Sequence, residues 1–117
     1  MGEEVPLPPK TQQRLLLLQQ LYQQLQNLMA RKQQLQLELM EVENALKALE
    51  KVGDDTPVYK SIGSLLIRSE KAELVQELED KKTFLNLRIE QVEREEERAR
   101  EQIEDLRTKL RKEGVRV

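Results

Sequence analysis

The chain has 117 residues, of which 36% are charged, 38% hydrophobic and only 3% aromatic, with a formal net charge of -2 and neither cysteine nor histidine. The lack of excess cation excludes sequence-independent attraction to nucleic-acid phosphates, and the missing thiols and imidazoles remove disulfides, thiolate metal sites, cysteine nucleophiles and the commonest proton carrier near neutrality. A composition dominated by Leu, Gln, Glu, Lys and Arg in periodic order favours long helices over a compact aromatic core.

Met1 to Pro9 carries two acids and three prolines, where a secretory signal would show a basic start and an apolar run. A flexible N-terminus over 1–9 and a soluble, cytoplasmic protein are expected. Proline suits a helix start because the N–H it lacks would be unpaired there anyway, and a first helix is predicted over 10–52. Its heptads place Leu18, Leu25, Lys32, Leu39 and Leu46 at one position and Leu21, Leu28, Leu35, Val42 and Leu49 three residues after each, a coiled-coil seam. The uncharged stretch from Leu15 to Ala30 is interrupted by glutamines and Asn27, whose amides a bilayer core would leave unpaired, so no membrane span is expected. Gly53 reads as a left-handed C-terminal cap, and Pro57 blocks continuation.

Beyond Pro57 the period changes. Val58-Tyr59-Lys60-Ser61-Ile62, then Gly63-Ser64, then Leu65-Leu66-Ile67-Arg68 predicts a β-hairpin over 57–68, with Gly63 supplying the positive φ of a type II′ turn. Ser69 is the expected cap of a second helix over 69–113, with Glu70 and Glu73 in its first turn. The heptads resume there, with Val75, Lys82, Ile89, Glu96, Ile103 and Leu110 at one position and Leu78, Leu85, Val92, Ala99 and Leu106 at the other. Gly114 ends this arm and leaves 114–117 as a tail. Two helices of similar length on a short connection fold back antiparallel if their seams are to meet. The expected class is mainly α: an antiparallel coiled-coil hairpin carrying one β-hairpin, as a single domain over 1–117.

An isolated two-stranded ribbon is marginal in water, and this one is apolar on both faces, since Leu65, Leu66 and Ile67 are consecutive. Its open edges also present unpaired N–H and C=O groups until another chain completes the sheet. The run Pro57-Val58-Tyr59-Lys60-Ser61-Ile62-Gly63-Ser64-Leu65-Leu66-Ile67-Arg68 between two heptad helices resembles the beta class of prefoldin subunits, its Tyr-Lys-x-Ile-Gly core being the specific part. The connection has room for one hairpin, whereas the alpha class carries two. The resemblance implies a hexamer of two alpha and four beta subunits whose hairpins join into a β-barrel, with Val58, Tyr59, Ile62, Gly63, Leu65, Leu66 and Ile67 assembling it. It further implies ATP-independent capture of non-native proteins at the coiled-coil tips and delivery to a group II chaperonin. The composition suits an archaeal source.

Four consecutive leucines, Leu15 to Leu18, exceed what a two-helix seam needs. Leu16 lies at an outer heptad position and Leu17 beside the seam, so both remain wet unless something docks there. The expected client surface comprises Leu15, Leu16, Leu17, Leu21, Tyr22 and Leu25 with Ile103, Leu106, Leu110, Val115 and Val117 of the opposing arm; Leu18, Leu21 and Leu25 serve equally well to zip the seam. Lys32, Lys82 and Glu96 intrude on the seam and read as structural, with register or local stability at stake. The run from Glu90 to Arg100 reads as a solvated face, because adjacent acids on a helix diverge and no histidine joins them. No catalytic residue, cofactor or metal is expected. The competing reading is a coiled-coil adaptor that binds one folded partner through the same stripe, for which a sticky ribbon in mid-chain has little use.

Overall fold

Glycine and proline are absent from 10–52 and from 64–113, and the Leu, Gln, Glu, Lys and Arg that fill these stretches sit in helices at little cost. The computed structural model describes residues 6–117, in the order α1 (Pro9–Glu50), β1 (Val58–Ile62), β2 (Leu65–Ser69) and α2 (Lys71–Lys112). Both helices have 42 residues. Residues 1–5 of the expected flexible N-terminus lie outside the described residues. The chain divides into two compact units, a terminal unit of Met1–Arg31 with Val92–Val117 and a hairpin unit of Lys32–Gln91.

In the terminal unit, Pro9 opens α1, and the Gln12 N–H donates to Pro8 O at 3.0 Å, the first turn of the helix. Leu18 and Leu21 then meet Ile103, Leu106 and Leu110 of α2 in one buried cluster, with Leu110 completely enclosed. Helix α2 ends as its glycine predicts. Gly114 has φ 88°, Val115 N–H reaches back to Leu110 O at 2.9 Å and Gly114 N–H to Arg111 O at 3.0 Å. This pair of bonds is a Schellman motif, which satisfies the last carbonyls and turns the following residue onto the helix. Val115 and Val117 accordingly pack against the leucine cluster. Glu113 joins the two helices, accepting a hydrogen bond from Thr11 Oγ1 at 2.9 Å and pairing with Arg14.

In the hairpin unit, the buried positions are Val42 and Leu49 of α1, Val58 of β1, and Leu85 and Ile89 of α2. Two caps differ from expectation. Gly53 is not left-handed, since Gly63 and Gly114 are the glycines of positive φ among the described residues. Helix α1 instead closes in a tighter turn, Lys51 N–H to Ala48 O and Val52 N–H to Leu49 O, and Lys71 Nζ donates to Val52 O at 2.7 Å and to Asp54 Oδ1 at 3.3 Å. A cation from the start of α2 thus meets a carbonyl at the negative end of α1. Ser69 is likewise not the cap of α2, because it completes the ladder opposite Val58. The first helical bond runs from Leu74 N–H to Glu70 O at 3.0 Å. That one-residue shift makes Glu70 the capping position and brings Glu73 to the third helical residue, where its charge meets the positive end of the helix.

The strands pair antiparallel with Ile62 opposite Leu65, so the loop is the two residues Gly63-Ser64. Gly63 has φ 58° and no other residue of the turn has positive φ. A type I′ turn would need positive φ at both central residues, which leaves type II′, the form compatible with strand twist.

Candidate functional site

Cross-strand partners share a face of the ribbon. Val58, Lys60, Ile62, Leu65, Ile67 and Ser69 therefore form one face, and Tyr59, Ser61, Leu66 and Arg68 the other. Val58 is buried, and Lys60 Nζ bonds Glu77 Oε2 of α2 at 2.8 Å, so the first face is laid on the chain's own helices at its open end. Its turn end is not covered: Ile62, Leu65 and Ile67 are exposed. On the second face Tyr59 is 59% and Leu66 73% exposed. Five large apolar side chains on a two-stranded sheet thus face solvent on both sides, and both strand edges are open among the described residues. No backbone among the described residues pairs with them.

The second surface lies on the terminal unit. Leu16 is 56% and Leu17 46% exposed, and Tyr22 is exposed as well. Leu15, Leu25, Val115 and Val117 are partly buried against the cluster beneath, while Leu21, Ile103, Leu106 and Leu110 are that cluster. The eleven residues expected to form one client surface therefore divide into a filled core and an apolar skin over it. A groove of about 310 Å³ runs along the skin, walled by Leu17, Leu21 and Leu106 with Gln102, Asp105 and Lys109 at its rim. Such a strip offers an apolar contact flanked by one amide and both signs of charge, which suits apolar segments of varied sequence.

The rest of the surface carries less chemistry. Among the described residues no three His, Cys, Asp or Glu side chains are grouped to hold a metal, and no helix is long and apolar enough to cross a membrane. The stretch from Glu90 to Arg100 is exposed except at Val92, Glu96 and Ala99. Glu96 is buried at its seam position, 4.0 Å from Arg100 Nη2 one turn on, and Lys32 and Lys82 are half-buried.

Residues 12–114 match the family model described as Prefoldin subunit. The chain belongs to the prefoldin subunit family. Among its relatives, the prefoldin subunit beta of Archaeoglobus fulgidus is 41% identical over 110 residues, covering 94% of this chain and 92% of the relative. That of Methanothrix thermoacetophila is 45% identical over 105 residues, covering 90% and 88%. The crystal structure of the prefoldin beta subunit from Thermococcus strain KS-1 superposes with a TM-score of 0.83 at 36% identity, covering 92% of this chain and 94% of that one. These relatives set the chain in the beta class, and membership of the family implies assembly with other prefoldin subunits.

Within this prefoldin subunit, three features had no counterpart in the sequence reading. The fold-back of Val115 and Val117 rests on backbone bonds that the lone Gly114 only hinted at. The clamp of Thr11 and Arg14 on Glu113 joins residues about a hundred positions apart, beyond the reach of any local pattern. Phe84 and Leu87 on α2, with Leu37 and Met40 on α1, are large, exposed and off the seam; their heptad positions carried that signal.

Proposed function

We propose that this chain is a subunit of an ATP-independent holding chaperone of the cytoplasm, which grips non-native proteins on the apolar skin of the terminal unit and passes them to a group II chaperonin. The whole chain, 1–117, acts as one prefoldin-like module, in a hexamer of two alpha-class and four beta-class subunits joined through the hairpins. The observation that carries the reading is the placement of Leu16 and Leu17, exposed beside a core that is already filled by Leu18, Leu21, Ile103, Leu106 and Leu110. Leu16 and Leu17 are each about half exposed, so each still offers roughly half of the ~1.5–3 kcal/mol of a fully buried leucine to whatever covers it. A few such contacts per subunit give weak binding, and several subunits acting together give useful retention without blocking release. The buried members of the cluster support this skin from below, with Leu15, Leu25, Val115 and Val117 at its margin. No step in this role needs a nucleotide, a metal or a catalytic side chain.

The test is the double substitution Leu16→Ser and Leu17→Ser in the assembled complex. The hexamer should form as before, since neither side chain is in the seam, and suppression of aggregation of a chemically unfolded client should weaken by about tenfold or more in the subunit concentration required. Undiminished suppression by an intact hexamer would remove both leucines from the site.

A further inference from the structure

A second groove, of about 330 Å³, opens at the base of the β-hairpin. It is lined by Ala45, Ala48 and Leu49 in the last turns of α1, by Val52 just beyond that helix, and by Val58 and Tyr59 of β1 among others, with no residue of β2. Val58 and Tyr59 are neighbours in a strand and point to opposite faces. A groove walled by both therefore follows the edge of β1 and does not lie under a single face. That edge is open. In a two-residue hairpin the residues flanking the loop form a hydrogen-bonded pair and the pattern alternates from there. With Ile62 opposite Leu65, the outward-facing N–H and C=O groups of β1 belong to Tyr59 and Ser61.

A partner that satisfies those groups must approach as a strand, and alternate side chains of an edge-bound strand project to the side on which the groove lies. Ala45 and Ala48 leave the space unfilled; a leucine at either position would occupy much of it from within. The hairpin of this chain itself carries the matching chemistry, exposed aliphatic side chains on both faces, with Leu66 the most exposed. We propose that the groove is a socket that receives an apolar side chain from the hairpin strand of a neighbouring prefoldin subunit as that strand pairs with the edge of β1. The socket fixes the register of the intersubunit sheet, because a slip of one residue would turn the inserted side chain to the opposite face and leave the hollow empty. This inference rests on the reading that subunits join through their hairpins.

The experiment uses the full chain mixed with its alpha-class sister subunit and follows assembly by native mass measurement over a dilution series. Ala48→Phe fills the socket from a solvent-exposed helix position and should leave the helical signal of the unassembled chain unchanged, while raising the concentration needed for assembly about tenfold or more. Ala48→Ser keeps the hollow open and should assemble as the parent does. Leu66→Asp, which leaves the groove of its own chain unchanged, tests the hairpin reading and should prevent assembly. If Ala48→Phe assembles at the parent's concentration while Leu66→Asp does not, the socket is refuted and the hairpin reading stands. Normal assembly by Leu66→Asp would refute both. Loss of client holding by Ala48→Phe with assembly unchanged would assign the groove to clients and also overturn the proposal.

Discussion

At the scale of single residues, the terminal unit depends on Gly114 more than its place near the end of the chain suggests. Its φ of 88° lies in the left-handed region, where a Cβ meets the adjacent carbonyl and costs roughly 1–2 kcal/mol. No neighbour crowds the position, since a Cβ there would meet nothing within 4 Å; backbone strain is the whole penalty. Gly114→Ala is expected to destabilise the unit by about 1 kcal/mol, with faster hydrogen exchange at the Gly114 and Val115 amides as the Schellman bonds loosen. Protection equal to the parent's would show that the fold-back of Val115 and Val117 is held by packing alone. Leu16 and Leu17 present the opposite case, side chains whose loss the fold should hardly register and whose removal is read in client holding.

At the scale of elements, the two helices and the hairpin between them were legible because each rests on a local, repeated signal. Nine of ten seam positions in α1 are apolar, and Gly63 between two apolar runs specifies both the turn and its type. The element ends were less legible. Helix α1 stops at Glu50 in a tight turn without a left-handed Gly53, and Lys71, across the hairpin, takes Val52 O just beyond it. Helix α2 starts after Ser69 because the ladder claims that residue first. Both ends involve contacts between elements, which no windowed pattern contains. The division of the expected client surface has the same origin: periodicity marked Leu18 and Leu21 as seam residues, but only packing assigns Leu110 zero exposure and leaves Leu16 outside. Lys71→Met should destabilise the hairpin unit by about 1 kcal/mol through the Val52 carbonyl. The companion contact to Asp54, which is 94% exposed, adds little. The effect would appear as earlier urea unfolding and faster exchange in the last turn of α1; an unchanged midpoint would mean that water satisfies Val52 O equally well.

At the scale of the molecule, the conspicuous fact is a mid-chain sheet of two strands with both faces apolar and both edges open, in a chain whose relatives are prefoldin beta subunits. Two strands do not make a stable sheet alone, and pinning by Val58 and by the Lys60–Glu77 pair reaches only the open end of the ribbon. On the proposed reading the remaining free energy comes from other subunits, which would make assembly a condition of the hairpin's order as much as a consequence of it. The terminal unit has its own filled core, so its exposed leucines are not needed to complete the fold and, on the proposed reading, are left for clients. The most direct measurement is the native mass of this chain, alone and mixed with an alpha-class prefoldin subunit, at concentrations spanning the assembly range. A discrete hexamer of two alpha-class and four beta-class chains in the mixture is the expected result. A well-ordered monomer that keeps its hairpin and does not associate with any sister subunit would contradict it.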